Sequence, residues 1–297
     1  MSSTPLEIMP QEQWRALQHD HRQWATAAAN DRLARRTDGI KHPVEDFLWE
    51  YYPYSPGALR RWTPGAGIAL VGGTAADELP PGFVETNGAF AFDALHLPEN
   101  KREHLRTSSA WVLGLQRNTA SRPAGLGCFG LHEWAMLLDQ TPEQVRHNSW
   151  SLRINASQIS DTIESVGLRC THFDAWRFFT PRALELNPIQ HSRATQPDFD
   201  QPGCLHANMD LYKWAMRLQP LIPSEFIRRA FELARRIRTV DMQSSPYDFS
   251  AMGLVPIRVE TPAGRAAFAT AQRGFAAEAA TLRQELITLV EKSSLWL

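Results

Sequence analysis

The fold is decided by the stretch LHANMDLYKWAMRLQPLIPSEFIRRAFELARRIRTV, residues 205–240, which predicts two consecutive helices. The first helix is predicted over 205–219 and the second over 224–240. Ser224 is a suitable N-cap for the second helix, and Glu225 places a negative charge in its first turn. A third long helix is predicted over 262–292, because a Thr-Pro pair is typical of a helix start. The C-terminal third is therefore predicted to be helical.

The chain before this stretch is predicted to be mostly helical, with a few strands. Further helices are predicted at 10–37, 99–118, 131–139 and 157–166. Strands are predicted at 68–71 and 150–154, and 168–179 is predicted to be a strand or extended chain. The predicted fold class is mainly α with a small β element near the middle (α+β), in a single compact domain. We expect an N-terminal helix over 1–40, followed by a single mainly helical catalytic domain over 41–297.

Composition excludes several classes of protein. The 297 residues carry 31 Lys+Arg and 32 Asp+Glu, a balance that excludes a protein gripping polyanions with its whole surface. No stretch approaches the ~18–20 apolar residues that span a bilayer, and no signal peptide is visible. Three cysteines, an odd and low number, argue against a disulfide framework. We therefore expect a soluble, cytoplasmic protein with no membrane partner, and the sequence indicates no protein partner.

Each cysteine opens a short unit that contains a histidine, an acid and a tryptophan. The three units are GCFGLHEWAM, CTHFDAWRFF and GCLHANMDLYKW, which begin at Gly127, Cys170 and Gly203. Their histidines and acids are His132 with Glu133, His172 with Asp174, and His206 with Asp210. The tryptophans are Trp134, Trp176 and Trp214. Three such coincidences are more than composition alone predicts, so these units are the candidate site.

The spacing within each unit predicts which side chains share a face. His206 and Asp210 are four residues apart, so on a helix they point the same way. In an extended chain, Cys170, His172 and Asp174 would alternate with their neighbours and all face one side. His132 and Glu133 are adjacent and diverge by about a quarter turn on a helix, which disfavours joint action.

The candidate residues have two functional interpretations and a structural one. His and acid groups could perform general acid/base chemistry beside aromatic walls that stack a planar ligand. Alternatively, His with Asp or Glu suits non-haem iron, and Cys with His suits zinc. The structural alternative is that these cysteines and histidines are ordinary core residues. A row of arginines between Arg228 and Arg238 could likewise follow a nucleic-acid backbone or simply be solvated.

Several segments resemble a known family. HPVEDFLWEYYPYSPGALRRW, GCFGLHEWAM, THFDAWRFFTP, QPGCLHANMDLYKWA and SPYDFS look like an actinobacterial family of about this length that is commonly labelled 3-methyladenine DNA glycosylase. The resemblance runs from His42 to Arg283. It implies DNA repair by release of alkylated purines such as 3-methyladenine, without specifying catalytic residues.

The first hypothesis is accordingly a DNA N-glycosylase, a hydrolase that acts on damaged DNA and needs no cofactor. Carboxylates would stabilise the sugar cation and direct water, as in other glycoside hydrolysis. The predicted catalytic residues are Asp174, Asp210, His172, His206, Glu133 and His132. The predicted substrate-binding residues are Trp134, Trp176, Tyr212, Trp214 and Phe173. The alternative is a metal-dependent oxygenase or hydrolase that holds iron or zinc in a His/Asp/Glu site and acts on a small molecule.

Overall fold

The computed structural model describes residues 5–74, 77–141, 143–145, 149–293 and 297. The described residues are 56% helical with 6% strand, which confirms the predicted class of mainly α with a small β element. No helix of the described residues is both long enough and apolar enough to span a membrane.

The secondary structure consists of short strands near the N-terminus and helices throughout. The strands are β1 (Glu7–Met9), β2 (Ile68–Val71), β3 (Phe83–Thr86) and β4 (Ala89–Phe92). The first six helices are α1 (Gln11–Thr37), α2 (Phe47–Tyr51), α3 (Pro56–Arg60), α4 (Glu99–Ala120), α5 (His132–Ala135) and α6 (Ala156–Val166). The later helices are α7 (Phe173–Trp176), α8 (Pro181–Leu186), α9 (Gln196–Phe199), α10 (Leu205–Arg217), α11 (Ser224–Gln243) and α12 (Pro262–Ser293).

Contacts within the chain group its residues into two compact units. The first unit comprises Met1–Gln116, Leu211–Glu232 and Leu282–Leu297. The second comprises Arg117–Asp210 and Leu233–Thr281. Each unit is therefore assembled from stretches that are distant in the sequence.

The sheet belongs to the first unit and has the strand order β1-β2-β4-β3. β1 runs parallel to β2, while β4 is antiparallel to both of its neighbours. Asn87 and Gly88 join β3 to β4 with φ values of 54° and 79°, the left-handed pair that a tight two-residue hairpin turn requires. The sheet thus lies in the N-terminal third, whereas we predicted the β element near the middle; of the predicted strands only 68–71 forms.

The core of the first unit packs α1 against this sheet. The Trp14 indole is fully buried, stacks on Trp62 with ring centroids 6.2 Å apart, and donates a hydrogen bond of 3.0 Å to the Val71 carbonyl. Leu70, Phe83 and other apolar side chains complete the cluster. Burial of large side chains of this kind is the main favourable term in folding.

The long predicted helices agree with the structure to within a few residues. α1, α4, α10, α11 and α12 correspond to the predictions at 10–37, 99–118, 205–219, 224–240 and 262–292. Thr261 caps α12 as predicted, because its hydroxyl accepts a hydrogen bond of 3.0 Å from the Gly264 amide.

The predicted strand at 150–154 does not form, and 168–179, predicted as a strand or extended chain, forms no strand. Leu152 forms only an isolated bridge to Tyr247. In the second segment the chain leaves the extended conformation at His172 and turns into α7, which contains Asp174. The backbone of 150–154 pairs instead with 246–248, where the Arg153 amide donates to the Pro246 carbonyl and the Asp248 amide donates to the Ser151 carbonyl. In the second segment, helical turns satisfy the backbone groups from His172 onward. Cys170, His172 and Asp174 therefore do not alternate along one extended face.

Candidate functional site

The three histidines of the candidate units meet in the second unit. His206, on α10, lies between the other two. Its ring centroid is 4.4 Å from that of His132, with the rings perpendicular, and 5.6 Å from that of His172, with the rings stacked. All three side chains are buried. The structure thus gathers imidazoles from segments up to 74 residues apart, counted from His132 to His206.

A tight glycine turn places His132. Phe129 and Gly130 both have positive φ, 45° and 69°, immediately before α5. A Cβ atom at Gly130 would lie 2.3 Å from the Ser244 hydroxyl oxygen, so a larger residue does not fit without rearrangement. Within α5, Trp134 is anchored by a hydrogen bond of 2.9 Å from its indole nitrogen to the Ser244 carbonyl. The orientation of His132 therefore depends on this close approach of two chain segments.

The first cluster of potential ligands consists of His132, His206 and Asp241. One donor atom from each lies within 4.8 Å of the others, and all three residues are buried. Nε2 of His132 is 3.5 Å from Oδ2 of Asp241 and 3.5 Å from Oε1 of Glu133. His132 and Glu133 thus approach each other despite being adjacent on a helix, contrary to the sequence prediction.

Arg238 neutralises part of the charge in this first cluster. It is 2% exposed, and its Nη1 donates to Oδ2 of Asp241 at 2.8 Å and to Oε1 of Glu133 at 3.2 Å. The other carboxylate oxygen of Asp241, Oδ1, is buried and accepts no hydrogen bond from the described residues. Oδ1 of Asp241 is therefore a hydrogen-bond acceptor to which no described residue donates.

Burial and charge set different protonation states for the two histidines of the first cluster. Burial, reinforced by His132 and His172, lowers the pKa of His206 well below its ordinary value. Burial also opposes protonation of His132, but the Asp241 and Glu133 carboxylates outweigh it and raise the pKa of His132. Burial raises the pKa of Asp241, although His132 and Arg238 oppose this shift. His206 is thus a neutral imidazole at physiological pH.

A second cluster consists of His172, Asp174 and Asp210, again buried and with donor atoms within 4.8 Å of one another. Nε2 of His172 is 3.6 Å from Oδ2 of Asp210. On its other side, Nδ1 donates to Oδ1 of Asp200 at 2.9 Å. Gln196 in turn donates to Oδ2 of Asp200 at 2.9 Å. The carboxylate of Asp200 therefore fixes the orientation of the His172 ring.

Asp174 is engaged by arginines. Arg193 contacts both of its oxygens, at 2.9 and 2.5 Å, and Nε of Arg177 lies 3.3 Å from Oδ1. A two-point pairing of this kind is strong and directional. Asp174 is accordingly better placed to hold Arg193 than to serve as a metal ligand or a nucleophile.

The three cysteines line one small cavity beside the histidines. The cavity measures about 30 Å³ and is also lined by His132, His206 and Asp241. Burial raises the pKa of all three thiols, to about 12 for Cys170. The cysteines therefore stay protonated, and the cavity offers space for one water molecule or a similarly small group.

The predicted aromatic walls are elsewhere. Trp134 is packed in the core beneath Arg153. Phe173 lies under the Arg193 guanidinium, and Trp176 contacts His191. Tyr212 and Trp214 belong to the first unit, where Tyr212 packs on Tyr52 and Phe231, and Trp214 packs on Trp111. Of the described residues that line the small cavity, Phe179 is the one Phe, Tyr or Trp.

Sequence reasoning missed Asp200, Asp241 and Arg238 as members of the site. Asp241 stands out only as part of the polar segment DMQSSPYDFS, and Arg238 only as part of an arginine row. That row is not a free basic face: Arg228 pairs with Asp20, Arg229 with Glu285, and Arg236 with Glu278.

No protein-family model matches the chain, and no curated protein or solved structure is significantly similar to it. The geometry of the site is therefore the basis for a functional proposal.

Proposed function

We propose that the second unit binds a divalent metal ion through His132, His206 and Asp241, and that the protein is a metal-dependent enzyme acting on a small molecule. The observation that carries the proposal is the state of His206. Its buried ring lines the small cavity and makes no hydrogen bond to any described residue, and burial lowers its pKa well below the ordinary value, which favours the neutral form. A neutral imidazole with an available lone pair is the form that binds metals.

The donor set supports this proposal. Two histidines and one carboxylate form the facial triad typical of non-haem iron(II) enzymes, and zinc also accepts these ligands. Neither ligand cluster of the described residues contains a cysteine, so the donor set is not that of a thiolate zinc site. The facial triad favours iron(II), and zinc remains compatible with the same ligands. Binding of a cation would displace the proton from His132 and give Oδ1 of Asp241 the partner that the described residues do not provide.

The surroundings support a catalytic role in preference to a purely structural one. Three protein ligands leave coordination positions open, as catalytic sites require. The adjoining cavity of about 30 Å³ has room for a water molecule or a diatomic-sized ligand at such a position. The metal would supply Lewis-acid activation of the group bound there. The Glu133 carboxylate and the Arg238 guanidinium would contribute opposite charges beside the metal.

Cobalt(II) titration tests this proposal. Cobalt(II) is a visible-absorbing substitute for iron or zinc, and we expect the full chain to bind one equivalent. His206→Ala and Asp241→Asn should abolish binding. His191→Gln is the matched control, because His191 is also buried in the second unit but bonds only to the Cys170 carbonyl among the described hydrogen-bond partners. Absence of a cobalt spectrum in the wild-type protein, or equal spectra in all variants, would contradict the proposal.

The N-glycosylase implied by the family resemblance is a second proposal. It is favoured by two buried carboxylates, Asp174 and Asp210, beside His172. It is the weaker of the two, because a purine is much larger than the 30 Å³ cavity and the predicted aromatic walls lie elsewhere. Base release from methylated DNA by metal-free protein, abolished by Asp210→Asn, would establish it in place of the metal enzyme.

A further inference from the structure

A cleft of the first unit shares no residue with the histidine clusters and has no role in the proposed metal chemistry. It measures about 510 Å³, within the range of small-molecule sites. Its apolar lining includes Trp62, Pro80, Leu97 and Leu105. A cleft of this size and composition can bury the flat or apolar body of a ligand.

The charged lining of the cleft is entirely basic. Arg61, Lys101, His104 and Arg217 line it, and no aspartate or glutamate does so among the described residues. Arg61 and Lys101 are exposed and make no ion pair within the described part of the chain. This contrasts with arginines such as Arg229, which pairs with Glu285 in the same unit. Arg217 donates to the Ser108 hydroxyl at 3.1 Å, which leaves its positive charge available to a ligand.

Two further features favour an anion in this cleft. Asn100 and Lys101 belong to the first turn of α4, where the helix dipole attracts negative charge. Gln219 also lines the cleft. Its side-chain amide carries N–H donors that could bond to an anionic group.

We propose that this cleft binds a small organic dianion, a phosphate ester or a dicarboxylate, attached to an apolar or aromatic body. Arg61, Lys101 and Arg217 would bind the charged group, Gln219 would donate a hydrogen bond, and Trp62 with the prolines and leucines would enclose the body. Several cations around one ligand are better matched by a doubly charged group than by a single carboxylate. The proposal does not depend on metal binding, because all of its residues belong to the first unit.

Calorimetric titration of the full chain tests the proposal with three probes. Phenyl phosphate and phthalate carry two negative charges on an aromatic ring, whereas benzyl alcohol has a similar body without charge. We expect at least one dianion to bind and benzyl alcohol not to bind. Preference for phenyl phosphate would identify a phosphate-ester site, and preference for phthalate would identify a dicarboxylate site.

Substitutions of the lining residues test whether the dianion binds in this cleft. Arg61→Gln and Lys101→Gln should each weaken it about tenfold, the usual effect of losing one hydrogen bond to a charged group. Gln219→Leu, which changes no charge, should also weaken it. Arg106→Gln is the control, because Arg106 lies on α4 outside the cleft and pairs with Glu103. No binding of either dianion, or equal binding by Arg61→Gln, Lys101→Gln and the control, would overturn the proposal.

Discussion

Nδ1 of His172 lies 2.9 Å from Oδ1 of Asp200, and both side chains are almost completely buried. Because an ionised carboxylate only accepts hydrogen bonds, this contact places the proton of the imidazole on Nδ1 and directs Nε2 toward Asp210. The pair therefore determines the geometry of the second cluster.

Substitution of Asp200 should reduce stability without removing the metal. Asp200→Asn weakens the contacts with His172 and Gln196, and a buried group left unsatisfied costs about 1–3 kcal/mol. Urea denaturation measures this loss. Asp198→Asn is the control, because Asp198 is exposed on α9, the short helix that Asp200 follows directly. Equal stability of the two variants would show that the His172–Asp200 contact contributes nothing.

Arg238 should matter most when the metal is absent. Arg238→Met leaves Glu133 and Asp241 buried without this cation, and breaking a buried ion pair costs about 3–5 kcal/mol. A bound divalent ion offsets part of the same negative charge, so the loss should be smaller in metal-loaded protein. Arg236→Met, which breaks an exposed pair with Glu278, should cost under about 1 kcal/mol in both forms. Equal losses for Arg238→Met with and without metal would contradict this explanation.

Gly130 should be intolerant of any side chain. Gly130→Ala introduces a Cβ atom 2.3 Å from the Ser244 hydroxyl oxygen in addition to the strain of a φ of 69°. Gly253→Ala is a matched control, because Gly253 is in the left-handed region with a φ of 73° but has open space around it. The control should lose only about 1 kcal/mol from backbone strain, and Gly130→Ala should lose clearly more. Thermal denaturation compares them, and similar melting temperatures would show that the turn adapts.

His21 should make the first unit sensitive to mild acid. Its Nε2 lies 2.8 Å from the Leu59 carbonyl oxygen, and burial lowers its pKa below the ordinary value of 6.5. The unfolded chain therefore binds the proton more tightly than the folded protein. The stability that neutral His21 contributes is complete above pH 6.5 and is lost as the pH falls toward the lower, folded-state pKa.

Replacement of His21 tests this pH dependence. His21→Gln retains a donor for the Leu59 carbonyl but does not titrate. The difference in unfolding free energy between wild type and variant should shift in favour of the variant between pH 7 and pH 5. A difference that is constant over this range would contradict the assignment.

The sequence predicts the long helices well because each has its own local signals. Thr261-Pro262 marks the start of α12, and the Ser224-Glu225 pair marks the start of α11. The β3–β4 hairpin was missed although Asn87-Gly88 is a strong turn signal, because the surrounding glycines and prolines are also typical of a loop. The segment 168–179 was misassigned, since aromatic residues favour strands only where a partner strand exists.

The candidate site was only partly predictable. His132, His172 and His206 are marked by their repeated neighbours, and the structure brings all three together. Asp200 and Asp241 join them through tertiary packing, which no local spacing encodes. The tryptophans that follow each histidine were misleading as cavity walls, because large aromatic side chains are most often used to fill the core.

The central claim is that His132, His206 and Asp241 hold a metal ion, and elemental analysis of the protein tests it most directly. After reconstitution with iron(II) or zinc under anaerobic conditions and removal of free ions, the wild-type chain should retain about one equivalent per chain. His206→Ala and Asp241→Asn should retain almost none, while His191→Gln and Asp200→Asn retain the wild-type amount. Wild-type protein that is folded but retains no metal, or a His206→Ala variant that retains as much as wild type, would contradict the account.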